Sequence, residues 1–183
     1  MNISSTINYN GQEVTFIWIP TENIGKYQPI KNIAGICLND KQGALICRET
    51  ADEGWKLPGG RPEKNETPAQ TLKRELVEEV AIKVDFIKLI GTQKVDFPNN
   101  PKVSEGDLFY QVRYFCKIKE VLPQTNDPDT GVLYDRKFVP IIKLNNYLKW
   151  GKIGDAIVAR VIEINNQFPE KNIVKLIKRK QEE

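Results

Sequence analysis

A loop stiffened by prolines and glycines runs directly into a well-capped helix, and this junction restricts what the chain can fold into. Trp55-Lys56-Leu57-Pro58-Gly59-Gly60-Arg61-Pro62 carries two prolines and two glycines in eight residues, so it reads as an ordered loop outside helix and strand. Residues 67–80 follow as a helix. Thr67 caps its start, Pro68 suits the first turn, and Gln70 completes a Thr-x-x-Gln capping box. Leu72, Leu76 and Val80 give it an apolar stripe.

The flanking segments predict strands. Residues 33–38 and 44–48 are short apolar runs separated by turn-forming residues, as in a hairpin. Residues 84–95 and 108–118 predict longer strands and 137–142 a shorter one, separated by polar, proline-bearing loops at 96–107 and 123–131. Residues 13–19 alternate but are apolar on nearly both faces, which predicts a strand covered on two sides. Residues 155–168 and 172–179 predict helices separated by Pro169. Strands, one strong helix, more strands and then helices imply a mixed α/β sandwich with one core. At 183 residues the chain is expected to be a single domain. It divides into an N-terminal extension (1–29), a core (30–146) and a C-terminal helical segment (147–183).

Composition removes several chemistries. The chain has no histidine. Serine–histidine and cysteine–histidine nucleophile systems, histidine zinc sites and histidine general bases are therefore excluded. Cys37, Cys47 and Cys116 each lie in an apolar run and read as buried small residues, not as a disulfide framework or zinc cluster. The net charge is only +3, and much of that excess sits in residues 171–180, read as the solvated face of a terminal helix. No nucleic-acid partner is expected on that charge pattern. No run approaches the roughly 20 apolar residues of a membrane span, and the N-terminus lacks leader-like character, so a cytoplasmic protein with no membrane partner is expected.

The remaining chemistry concentrates on the helix. Offsets of three and four residues put Glu75, Glu78 and Glu79 on one face, beside the apolar stripe. Such like charges would cost roughly 0.2–0.5 kcal/mol per pair, a sign that a bound cation reverses. Carboxylate oxygens suit Mg²⁺, with Mn²⁺ as substitute. Gly59 and Gly60 let backbone approach a ligand closely. Taken alone, Arg-Glu-x-x-Glu-Glu is an ordinary solvated helix face. Gly60, Glu66, Arg74, Glu75, Glu78 and Glu79 together form Gly-x5-Glu-x7-Arg-Glu-x-x-Glu-Glu, which arises by chance on the order of once in 10⁵–10⁶ chains.

Residues 60–82 resemble the signature box of the Nudix hydrolase superfamily. Leu76 meets the aliphatic position, but Ala81 stands where the family has glycine. An alanine in the left-handed conformation expected there costs about 1 kcal/mol or more. The resemblance implies an α/β/α sandwich around a mixed sheet, here with an N-terminal strand extension and C-terminal helices. It implies that Glu75, Glu78, Glu79 and the Gly59 carbonyl hold the metal. Arg74 would orient Glu75, and Glu66 would anchor Arg74 or the loop. Glu75, Arg74 and Glu78 are thus the expected catalytic set, with Glu105 or Asp107 as alternative bases from a later loop.

The implied reaction is Mg²⁺-dependent hydrolysis of a nucleoside diphosphate linked to another group, either a nucleotide sugar such as ADP-ribose or a nucleoside triphosphate. Trp55, Phe97, Phe109 and Tyr110 stand as candidates to stack a base, or as core packing. Pro98 lies near where the ADP-ribose-cleaving branch places a proline, and that branch's N-terminal extension implies a homodimer. The alternative is a non-catalytic sensor of the same fold. A diphosphate isomerase of related fold would need histidine ligands that this chain lacks.

Overall fold

The computed structural model describes residues 1–98 and 107–168. Among these, eight strands form one sheet: β1 (Ile3–Tyr9), β2 (Gln12–Pro20), β3 (Ile30–Leu38), β4 (Gly43–Arg48), β5 (Gly59–Gly60), β6 (Ile82–Phe97), β7 (Asp107–Val121) and β8 (Asp135–Pro140). The order is β1-β2-β6-β7-β3-β4-β8, with β5 paired to β3. β3 and β7 run parallel and the other pairs antiparallel, so the sheet is mixed.

Period-two alternation sorts the central strands between two layers. Ile33, Cys37, Leu45, Cys47, Val112 and Cys116 face α1 (Pro68–Glu78), joining Leu72, Leu76 and Val80 in one apolar cluster. Ala34, Ile36, Leu38, Ala44, Ile46 and Phe115 face the opposite way. There they meet Ile153, Ile157, Val161 and Ile164 of α3 (Gly151–Gln167). Each fully buried Val, Leu, Ile or Phe among them contributes roughly 1.5–3 kcal/mol. The result is the α/β/α sandwich expected from the sequence, and all three cysteines are free and buried in it.

The capping box forms in full. The Gln70 side chain accepts from Thr67 N–H at 2.8 Å, and Thr67 Oγ1 accepts from Gln70 N–H at 3.4 Å. It fixes where α1 begins, and thereby where the carboxylates on its later turns point.

Several elements differ from expectation. β1 was not foreseen, because Ser4, Ser5, Thr6 and Asn8 give it no apolar run. Its signal is the turn: Asn10 (φ 53°) and Gly11 (φ 82°) have the positive φ values of a tight hairpin, for which Asn-Gly is the strongest local cue. Gly59 and Gly60, read as loop, pair with Ala34 and Ile33 of β3. The strand expected at 137–142 ends at Pro140 and turns into a 3-10 segment, Ile141–Lys143, then the five-residue α2 (Leu144–Leu148), too short to show a helical period. In β2 only Val14 and Trp18 are fully buried, while Thr15, Ile17 and Ile19 are half-covered. The expected helix at 172–179 lies outside the described residues.

Candidate active site

Arg74 is the hub. Its Nε donates to Glu66 Oε1 at 2.9 Å, and its Nη1 to both Glu75 Oε1 at 3.0 Å and Glu78 Oε2 at 2.8 Å. Nη2 donates to the Arg61 carbonyl at 3.1 Å and to Glu66 Oε2 at 3.2 Å. One planar fork therefore ties the loop to the helix and draws two carboxylates of α1 together. Glu66 is held in turn by the Glu63 N–H and the Thr71 hydroxyl. Arg74 above all, with those two donors, holds the Glu66 carboxyl down at about 2.

The glycines are required by space. Gly59 has φ 142°, and a Cβ there would lie 2.1 Å from the Ile33 carbonyl oxygen. A Cβ on Gly60 would lie 2.2 Å from Glu75 Oε1. Gly59 N–H donates to Glu79 Oε2 at 2.7 Å, and Lys56 Nζ reaches Glu79 Oε1 at 3.0 Å. Glu79 is thus buried against the loop, with the Cys47 thiol at 3.9 Å. Lys56 also pairs with Glu49 at 3.1 Å, which accepts from the Tyr134 hydroxyl at 3.0 Å. Glu49 and Tyr134 had no sequence signal, since they come from the residue after β4 and the residue before β8.

Burial pushes the Glu75 carboxyl up to about 7; Arg74 opposes this, and Glu79 and Glu78 add to it. Burial likewise raises Glu79, against Lys56 and the Gly59 amide. A hard divalent cation fits the donor set. Glu66, Glu75, Glu78 and Glu79 crowd around only Arg74 and Lys56, and the bare Cα of Gly60 leaves Glu75 its place. The side chains are arranged around their cations, however. Glu75 and Glu78 face Arg74 while Glu79 faces Lys56, and among the described residues no three acidic or thiol groups converge as metal ligands would.

Beside the glycine turn opens a cavity of about 1280 Å³, lined by Lys56, Gly59 and Arg61 at one side. Phe97, Phe109 and Asp107 also line it. Asp107 is ion-paired to Lys31, which lies over the Phe109 ring at 4.9 Å, and Phe97 packs edge-on to Tyr9. Trp55 is sandwiched between Arg48 and Lys137, and Tyr110 packs on Tyr27; neither lines the cavity. Glu105 lies outside the described residues.

The NUDIX domain family matches residues 29–161, and the chain belongs to that family. It is 51% identical over 45 residues to an 8-oxo-dGTP diphosphatase from Proteus vulgaris, covering 25% of this chain and 40% of that protein. It is 34% identical over 68 residues to an RNA pyrophosphohydrolase from Psychromonas ingrahamii, covering 37% and 36%. The chain thus spans well under half the length of these two relatives. Among solved structures, a Bacillus subtilis pyrophosphohydrolase superposes with a TM-score of 0.60 at 17% identity, over 87% of this chain and 96% of that one. A NUDIX hydrolase from Nitrosomonas europaea gives 0.53 at 18% identity, over 74% and 87%. These similarities are of fold.

Proposed function

We propose that this chain is a divalent-cation-dependent hydrolase that cleaves the diphosphate linkage of a nucleoside diphosphate joined to a further group. The observation that carries this reading is the Arg74 fork holding Glu75 and Glu78 side by side against the Gly59–Gly60 turn, at the edge of a large cavity. Family membership and the relatives' names support it.

Glu78, Glu79 and the Gly59 carbonyl are the groups that would hold Mg²⁺ or Mn²⁺, and Glu79 now pairs with the Lys56 ammonium. A divalent ion supplies charge neutralisation of the diphosphate and acidifies a water. Glu75 takes the proton as water attacks one phosphorus and the bridging P–O bond breaks, the other phosphate leaving with that bond's electron pair, and a pKa near neutrality suits that task. Arg74 orients Glu75 and Glu78, and Glu66 anchors Arg74. Asp107, across the cavity and held by Lys31, is the second candidate base.

Purified protein is to be offered nucleoside triphosphates, nucleotide sugars, dinucleoside polyphosphates and a short RNA with a 5′-triphosphate, each with Mg²⁺ or Mn²⁺, and products identified by mass. The RNA belongs in the panel because relatives are named RNA pyrophosphohydrolases. Turnover abolished by Glu78→Gln supports the reading; binding without cleavage of any member returns it to the sensor. Among the described residues no helix is long and apolar enough to cross a membrane, and a cytoplasmic site of action belongs to the same proposal. So does the homodimer, for which the sheet-edge strand β1 with exposed Ile7 and Tyr9 is the surface to test by sedimentation.

A further inference from the structure

Lys56 holds one ammonium between two carboxylates. Its backbone is bridged to β4: Lys56 N–H donates to the Cys47 carbonyl at 2.8 Å, and Cys47 N–H to the Lys56 carbonyl at 3.0 Å. From this fixed root Nζ reaches Glu79 Oε1 at 3.0 Å and Glu49 Oε1 at 3.1 Å. The two carboxylates differ in surroundings. The Glu79 side chain is 5% exposed and the Glu49 side chain 35%. A buried carboxylate with no charge partner is strongly unfavourable. Among the described residues, Lys56 is the cation that pairs with Glu79.

Beside Glu49 the ammonium has a second set of partners that does not involve Glu79. The Tyr134 hydroxyl donates to Glu49 at 3.0 Å and fixes that carboxylate. The Tyr134 ring centroid lies 4.9 Å from Lys56 Nζ, within reach of a cation–π contact. The Lys56 side chain is 37% exposed, so its remaining N–H groups keep water. Glu79 Oε2 already accepts from Gly59 N–H at 2.7 Å. The ammonium therefore sits on Oε1, the oxygen that would ligate a cation. An ammonium and a divalent ion on one oxygen would repel each other strongly at that separation.

We infer that Lys56 is an internal counter-ion of the cation site. It neutralises Glu79 in the metal-free chain, competes with the divalent cation for that carboxylate, and withdraws onto Glu49 when the cation binds. The inference rests on the cation-dependent reading of the site and names a positioning residue within it. A lysine suits the exchange, because its ammonium is a compact charge on a flexible stem, whereas a guanidinium fork is rigid. Lys56 thereby keeps the buried carboxylate in place before a cation arrives and lowers the affinity for that cation. Glu49 and Tyr134 set how far the affinity falls, since they stabilise the ammonium in its second position.

The test is calorimetric titration of the full chain with Mn²⁺, without nucleotide, for the natural sequence, Lys56→Met, Glu49→Gln and the double variant. Lys56→Met is expected to bind Mn²⁺ about tenfold tighter, whereas mere damage to the site would weaken binding. Glu49→Gln removes the second position and is expected to weaken binding about threefold to tenfold. In the Lys56→Met background the same Glu49→Gln change is expected to alter affinity by about twofold at most, because no ammonium remains to be reseated. Two charges acting independently on the cation would instead give additive effects in the double variant. Far-ultraviolet circular dichroism confirms that each variant is folded, and Lys56→Gln replaces Lys56→Met if the latter does not fold. Lys56→Met binding no tighter than the natural chain, or additive effects, would overturn the inference and leave the hydrolase reading standing. No Mn²⁺ binding by any of these proteins at millimolar concentration would remove both.

Discussion

Gly60 and Glu75 occupy one another's space: a methyl group on the glycine would lie 2.2 Å from the carboxylate oxygen and 2.4 Å from its carbon. The glycine's missing side chain is the seat of the proposed general base. Gly60→Ala is therefore expected to displace Glu75 and lower kcat strongly while the fold survives, because the displaced group is the tip of a flexible side chain. Gly59→Ala meets the Ile33 backbone carbonyl at 2.1 Å with φ 142°, and backbone cannot step aside. That variant is expected to lose roughly 2–5 kcal/mol of stability. Thermal melts beside steady-state kinetics separate the two; equal melting points would refute the distinction.

Glu75 also sets a pH dependence. Its folded pKa, about 7, lies above the ordinary carboxylate value of 4.5. Between those values the folded chain binds more protons than the unfolded one, so stability of the metal-free protein falls as pH rises from about 4.5 to 7. Glu75→Gln should flatten this slope and raise the melting temperature near pH 7. Parallel curves for the two proteins across that window would disprove it.

Arg74→Lys keeps the charge but loses the fork. One ammonium cannot serve Glu66, Glu75, Glu78 and the Arg61 carbonyl together. Activity is expected to fall about 10–100-fold, as when a supporting partner of a cation site is removed. Glu66 should lose its depressed pKa, detectable by carboxyl-resolved NMR titration. Its contribution to stability in the natural chain, present above about 4.5, is lost as pH falls toward 2.

Ala81 adopts φ 47° at the end of α1, in the left-handed region where the family's box has glycine. Its carbonyl accepts from Leu122 N–H at 2.8 Å and from Arg136 at 3.2 Å, and Arg136 also donates to the Val80 carbonyl, so the turn is held by the residue just past β7 and by β8. Ala81→Gly removes roughly 1–2 kcal/mol of strain against about 0.5–1 kcal/mol of added chain entropy. A net gain of about 0.5–1 kcal/mol, about 2–4 °C per kcal/mol in melting temperature, is expected with activity unchanged. A lower melting temperature would sink the argument.

Much of this could be read along the chain because the information is local. Thr67 and Gln70 cap one turn with each other, Leu72, Leu76 and Val80 repeat at helical spacing, and Glu75, Glu78 and Glu79 share a face by helix geometry alone. The period of two in β3 and β4 comes from backbone pleat, which needs no distant partner. The Asn10-Gly11 turn is equally local, but the strand before it carries too few apolar residues to show a period of two.

What tertiary structure decided is which side chains meet. Lys56 reaching Glu79, Gly59 pairing with Ala34, and Gln93, Gln111 and Asn32 aligning across three strands all depend on strand order and register. A shift of one residue in register would turn each of these side chains to the other face of the sheet. Local sequence thus determines which groups exist and how one helix presents them. Pairing between segments distant along the chain determines which carboxylate is buried, which is shared, and which ammonium stands between two of them.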